Sequence, residues 1–571
     1  MDLYLADAGI AALEAALESP APGIERAEIQ VTTAWHLRQR DGTRALALSS
    51  EASVLIADRP GLQVRNALTR CEIFALHGRI DESEAQLAEA RRLLLAPGVN
   101  PLTEGDALLA EAVVAKARGQ RGRELDAYAR NVALLAGRND ARRLRIAQAW
   151  AAYENTFGGP ETGDASEFSS SVSLSDRGNA DLTCDALLGA AQALKLSRRD
   201  PARAARLFLQ ASEQARQMGL VRHAIVCTLN AGSALQSLGF LDQAAACCAS
   251  ATELSRQAGW PVLVGASGTQ LAALLLELGR LEESHAVLSA AVETLAATPA
   301  GINKANACSA LGQTLLLMGR SVESLGPMTE AIRMYRDARS SDNLAQNLIG
   351  HARSLSAADQ PQQALAALSE VQVLIERHGF SALAVAVCEA LAEIHQRHPS
   401  LPAPARMSLP NAALHYAEAT LREGLGVDGW KPSATLLIQL ADGWAAAGDM
   451  AQAYGYARRA FAAKDEEAAV MSSRLPTLVL RLREGRDDDD ARPLSSMPAK
   501  QLAPKLLSPK EHEVLRLLAR NLSNKEIATA LEIGEETVKW HLKKVFNKLE
   551  AGSRKHAVVR ARTLGVISFS S

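Results

Sequence analysis

Large rings are scarce in this chain. Phe, Trp and Tyr make up 4% of its 571 residues, which leaves Ala, Leu, Glu, Gln and Arg, a helix-forming set, to build most of it. Long apolar runs are missing too. No stretch reaches the roughly 18 consecutive apolar residues of a membrane helix. The opening MDLYLADAGIAALEAALESP is broken by acids, so it does not read as a secretory leader. No membrane partner is expected, and the expected location is the cytoplasm. The seven cysteines show no metal spacing; the vicinal pair Cys247 and Cys248 reads as small core filler ahead of a redox switch. His395 and His398 stand three apart on an expected helix, but no third ligand at metal-site spacing is evident with them, so no metal site is expected. The chain has no GxxxxGK[ST] phosphate loop and no strand–helix alternation of a phosphoacceptor receiver. No carboxylate pair or nucleophile motif stands out from the helical background. Neither an enzyme nor a cofactor is expected.

What is present is a repeat. Hydrophobic residues at 48% and charged residues at 22% describe a soluble globular protein with length for several domains. The segments SLGFLDQA (237–244), ELGRLEES (277–284), LMGRSVES (317–324) and AADQPQQA (357–364) recur every 40 residues. Fainter copies are LHGRIDES (76–83), SRRDPARA (197–204) and AAGDMAQA (446–453). Seven residues before the turn position stand Gly232, Ala272, Gly312 and Ala352; five after it stand Ala244, Ser284, Ser324 and Ala364. Seven further on are Ala251, Ala291 and Ala331. Small residues at fixed offsets on both sides of a turn let two antiparallel helices approach closely. One such hairpin cannot bury its own apolar face, so the copies must stack into a solenoid. The pattern resembles the tetratricopeptide repeat, although its 40-residue period exceeds the usual 34, which implies longer helices or looser turns. The resemblance implies a groove that binds a partner protein, a peptide or a small ligand. Asn230 is a candidate for holding a peptide, but the neighbouring repeats lack an equivalent asparagine, and no effector residue is assigned. The Gly/Ser-rich stretch 157–178 reads as an exposed loop or a linker between subdomains.

Charge divides the chain further along. Residues 483–505, REGRDDDDARPLSSMPAKQLAPK, carry four consecutive aspartates and three prolines and read as a flexible tether. Between Lys505 and Arg562 stand thirteen Lys and Arg against seven acids, a net of +6 that leaves −8 for the rest. A basic tail on an acidic body points to a polyanion as the tail's partner. Its punctuation is orderly. Ser508 to Glu511 and Ser523 to Glu526 are capping boxes, the first with Pro509 at the opening helical position. A third helix follows Gly534, with Val538, Leu542, Val545 and Leu549 as its apolar stripe and Trp540 opposite among lysines. A fourth helix is expected from Arg554 to Leu564. Two short helices and a longer basic one make a helix-turn-helix.

LSPKEHEVLRLLARNLSNKEIATALEIGEETVKWHLKKVFNKLEAGSRKHAV (507–558) resembles the DNA-binding domain of the LuxR/FixJ family of bacterial transcription regulators. The matching positions include Glu511, Glu513-Val514-Leu515, Asn524 to Ala528, Thr537-Val538-Lys539, His541, Lys548-Leu549 and Arg554. Asn521, Glu532 and Gly534 depart from the family's usual Gly, Gly and Ser, and Glu532 adds an acid near the phosphates. The resemblance implies that the third helix enters the major groove of double-stranded DNA, with Lys539, Trp540 and Lys543 facing base edges. It implies phosphate contacts for Lys525, Thr537, Lys544 and Lys548. His541 is placed at the core edge, structural or in contact with DNA. The last helix resembles the family's dimerisation element, which implies a homodimer on DNA. The expected fold is all-α: a tetratricopeptide-like solenoid (1–483), a linker (484–504) and a four-helix LuxR-type helix-turn-helix domain (505–571). The expected function is transcription regulation; the competing reading is a repeat scaffold whose helix-turn-helix mainly contacts the transcription machinery.

Overall fold

The computed structural model describes residues 2–19, 23–156, 181–299, 301–380, 382–404, 407–427 and 429–464, and in the C-terminal region 513–515, 517–518, 524, 527–528, 531 and 534–548. The chain divides into two compact units, Met1–Arg483 and Glu484–Ser571. Every element of regular structure among the described residues is a helix. The stretch 157–178, the linker 484–504, both capping boxes apart from Asn524, and the helix expected at 554–564 lie outside the described residues.

The 40-residue period resolves into two near-equal halves. Helices run Val221–Ser237, Leu241–Gln257, Pro261–Glu277, Leu281–Leu295, Ile302–Leu317, Ser321–Asp337, Ser341–Ala357 and Pro361–His378. Most have 17 residues, and a new one starts about every twenty. Long helices, not loose turns, therefore account for the departure from 34. The turns are tight and alike. A left-handed residue closes seven of these eight helices, at Gly239, Gly259, Gly279, Gly319, Arg339, Asp359 and Gly379; Leu281–Leu295 runs out through Ala296 in a right-handed turn instead. The next residue then donates its amide to a carbonyl five positions back, as in Phe240 to Leu235 (3.0 Å), Arg280 to Leu275 (2.8 Å), Arg320 to Leu315 (2.9 Å) and Gln360 to Leu355 (2.8 Å). The carbonyl of that same residue accepts the first bond of the following helix, Phe240 from Ala244 (2.9 Å) and Arg280 from Ser284 (3.1 Å). One residue thus ends one helix and starts the next.

Of the fainter copies, 76–83 and 446–453 share this closure, with Gly78 and Gly448 left-handed. The copy at 197–204 does not. Its helix Pro201–Gln217 is opened by the Asp200 carboxylate, which accepts from the Arg203 amide at 3.0 Å.

Small residues sit where the helices cross. Ala272, Ala352, Ala244, Ser284, Ser324 and Ala364 are fully buried. A methyl added to Gly312 would stand 3.1 Å from the Ser324 carbonyl and 2.4 Å from Met328 Cγ. At Gly232 it would meet Cys248 Sγ at 3.1 Å and the Ala244 carbonyl at 3.3 Å. Cys248 is buried in this crossing, and burial pushes its thiol up to about 12, the behaviour of core filler. His395 stacks on Tyr416, and His398 turns away to the Ser356 carbonyl at 3.0 Å, so the two do not converge on a metal.

The first repeats close on themselves. Arg40 donates to the Gln217 carbonyl at 3.2 Å, and the Arg222 amide donates to Gln39 Oε1 at 3.2 Å. Leu76 packs in one cluster with Ile225, Ala251 and Trp260. The interior of this turn is aromatic and charged. Arg38 pairs with Glu72 at 2.6 Å and lies 3.7 Å from the Trp35 ring centroid, and Arg65 lies 4.3 Å from the same centroid. Asp106 is held by Arg65 at 2.7 Å and by Arg143. His223 is buried against Trp150 and Tyr153, with ring centroids 5.6 and 4.5 Å away.

Two outcomes are expected. Arg339 (φ 53°) places a side chain where one is costly, so Arg339→Gly should stabilise the repeat unit by about 0.5–1 kcal/mol. Gly279→Ala should destabilise it by about 1–2 kcal/mol in urea denaturation. Burial lowers His223 to about 4 and His36 to about 3. Between their unfolded value near 6.5 and these folded values only the unfolded chain takes up protons, so stability should fall as pH falls through that window. The slope should reach about 1.4 kcal/mol per pH unit for each histidine. Melts at pH 7 and pH 5 check this, with His223→Gln expected to flatten the slope.

Candidate nucleic-acid interface

In the C-terminal unit, Gly534 opens the helix Glu535–Lys548. Its carbonyl accepts from the amides of Thr537 (3.0 Å) and Val538 (3.1 Å), but a glycine offers no side chain to the free amides of the first turn. The nearest atom to a methyl built there is Thr537 Oγ1 at 3.6 Å. The expected apolar stripe is in place: Val538, Leu542 and Val545 are all buried. So are Val514, Leu515 and Leu518 of the first helical segment, and Ile527 and Ala528 of the second. Leu549 lies outside the described residues.

At about 100° per residue, that stripe leaves the opposite face to positions 540, 543, 544 and 547. Lys543 and Lys544 are exposed there. Lys539 and Thr537 are exposed on opposite flanks of the helix. Trp540 and Lys548 lie on the same helix by backbone position, their side chains outside the described set. Lys525 lies outside the described residues. His541 is half-buried beside the apolar stripe. The structure therefore brings six of the seven sequence-named positions onto one helix, four of them with exposed side chains. The sequence concentrates four lysines after the first turn of this helix and two acids, Glu535 and Glu536, within it, a distribution that suits the helix dipole.

Residues 505–561 match the profile of the family described as bacterial regulatory proteins, luxR family. Residues 505–561 are a LuxR-type helix-turn-helix domain. The chain is 38% identical over 82 residues to the HTH-type transcriptional regulator AlkS of Alcanivorax borkumensis, covering 14% of this chain and 9% of that protein. It is 36% identical over 70 residues to the transcriptional regulatory protein ComA of Bacillus subtilis, covering 12% of this chain and 33% of that protein. The chain thus spans less than a tenth of one relative's length and a third of the other's. Among solved structures, it is similar to a Rap protein complexed with Competence and Sporulation Factor, with a TM-score of 0.39 and 12% identity over 71% of this chain and 99% of that one. That likeness is too loose to bear on what the repeats hold.

Sequence reasoning named no residue in the repeats as a ligand contact. Asn230, the one it raised, is half-buried, and its Nδ2 has no hydrogen-bond partner among the described residues. The more informative signal was WHLRQR (35–40), a Trp and two Arg within six residues of an aromatic-poor chain.

The LuxR-type domain rests on a small core. Leu542→Ala should cost about 2–5 kcal/mol and unfold the C-terminal unit at a temperature where the repeats stay helical. Separate melting of the two units, followed by NMR of the C-terminal resonances, checks it.

Proposed function

We propose that this chain is a DNA-binding transcription regulator without a catalytic step of its own. The observation that carries the reading is the match of residues 505–561 to the luxR family, together with a lysine-bearing helix face opposite a buried apolar stripe. In this reading the helix Glu535–Lys548 lies in the major groove. Lys539, Trp540 and Lys543 face base edges: a lysine donates to guanine O6 and N7, and an indole packs on a thymine methyl. Lys525, Thr537, Lys544 and Lys548 hold phosphates and fix the docking without reading sequence. Two copies bind half-sites about one helical turn apart. The helical repeats sense a partner protein, peptide or small ligand. Among the described residues no helix is long and apolar enough to cross a membrane, and a regulator of DNA works in the cytoplasm.

Genome-wide mapping of binding by the full chain supplies the operator. On that operator, Lys543→Ala should weaken binding by about 1–3 kcal/mol and relax preference at one base pair. Lys544→Ala should weaken all sequences alike and lower the salt slope by about 0.9. Trp540→Ala should change the ranking of operator variants more than the salt slope. A wild-type footprint, ranking and salt dependence in all three variants would rule the helix out as the reader.

A further inference from the structure

The interior of the first closed turn already holds a short non-helical segment, the chain's own residues 2–5, bent at Leu3 and Tyr4. The groove grips it chiefly through its main chain. Trp35 Nε1 donates to the Asp2 carbonyl at 3.1 Å, Arg38 Nη2 to the Leu3 carbonyl at 3.4 Å and Arg40 Nη2 to the Leu5 carbonyl at 2.8 Å. Side chains add three contacts in order. The Asp2 carboxylate meets Arg142 at 2.8 Å. Leu3 is buried in the same cluster as Trp35 and Leu68. Tyr4 is buried too, with the Arg38 guanidinium 5.4 Å from its ring centroid.

Beside Asp2 and Leu3 the groove continues into a cavity of about 140 Å³, lined also by Asn100, Leu102, Asp140, Arg142, Arg143 and Ile146. The helix that follows the segment, Asp7–Glu18, has no fully buried residue; it packs Ile10 and Leu17 on the cluster around Leu37 and Ile73 and pairs Asp7 with Arg40 at 2.9 Å.

We propose that this groove is a peptide-binding site for a short non-helical segment with an acid, an aliphatic and an aromatic residue in succession. Residues 2–5 occupy it as a displaceable stand-in. The proposal rests on reading the repeats as the effector-sensing part of a regulator. Main-chain carbonyls are common to every peptide, so three donors aimed at them accept any chain that follows the same path. Arg142 and the Leu3 and Tyr4 pockets select which one. A short segment burying two side chains beside a helix with no fully buried residue is the kind of element that opens locally without unfolding its surroundings. A stand-in seated 99% of the time would reduce apparent affinity for a competing peptide about 100-fold. Weakening the stand-in therefore raises affinity, whereas damage to the groove lowers it.

The test uses the full chain and a fluorescein-labelled peptide of sequence DLYLAD, the chain's residues 2–7. Leu3→Ser with Tyr4→Ser should bind the peptide saturably and at least tenfold more tightly than the wild type. Trp35→Phe or Arg142→Gln added to that background should cost at least tenfold, and a scrambled peptide should not compete. No saturable binding to the double variant while its melt stays within a few degrees of the wild type overturns the proposal. Hydrogen exchange on the wild type decides the matter even where that variant unfolds. Residues 2–6 should exchange far faster than the helix Pro60–Leu76; equal protection would make them a fixed part of the core and also overturns the proposal. DNA affinity is measured separately on the same proteins. Its absence in every protein counts against the regulator reading and leaves the groove result standing.

Discussion

At most junctions between Val221 and His378, a residue that turns left-handed sets the architecture of the repeats. Without it, the last carbonyls of each helix would lack partners and the chain would not reverse in three residues. With it, one residue closes one helix and opens the next, and helix length is fixed by the spacing of the turns. The period of 40 is therefore a property of the turn chemistry, visible in the bonds of Phe240, Arg280, Arg320 and Gln360. Small residues follow as a second condition. Where a hairpin reverses so tightly, its helices cross close to the turn, and only Gly, Ala or Ser fits between backbones, as the contacts around Gly232 and Gly312 require.

Regular stacking does not explain the first repeats. There the chain curls back so that Leu76 meets Trp260, and the inside of the turn is filled by Trp35, Arg38, Arg65, Glu72, Asp106 and Arg143. Apolar residues of equal volume would pack there at no desolvation cost, whereas buried ion pairs often return little or no net stability. What such pairs do provide is direction. Guanidinium groups fixed by carboxylates and a tryptophan ring present donors at set positions, which is what a site for main-chain carbonyls needs.

Much of this was legible in the sequence because it repeats. The turns, the small residues beside them and the helix stripe of Val538, Leu542 and Val545 all lie within a few residues of the features that reveal them. The copy at 197–204 is also a turn between two helices, but there Asp200 caps the second helix without a left-handed residue. The closure of the first turn was not legible. It joins Arg40 to Gln217 and Gln39 to Arg222 across about 180 residues, and no local pattern records which distant carbonyl an arginine will meet. The run WHLRQR showed an unusual concentration of donors without showing their target.

The charge imbalance limits how the two units can influence one another. The span 505–562 carries +6 and the remainder −8, and at physiological ionic strength a field from exposed charges decays over about 8 Å. On the proposed reading, an effector that changes DNA binding acts through contact, through a changed number of copies on the DNA, or through the reach of the tether. A peptide that displaces residues 2–5 frees the Arg40 bonds to the Leu5 carbonyl and Asp7, while Arg40 also holds Gln217. The closure of the first turn is thus the element whose equilibrium such a peptide can bias, because one arginine joins the occupied segment to the far side of the ring.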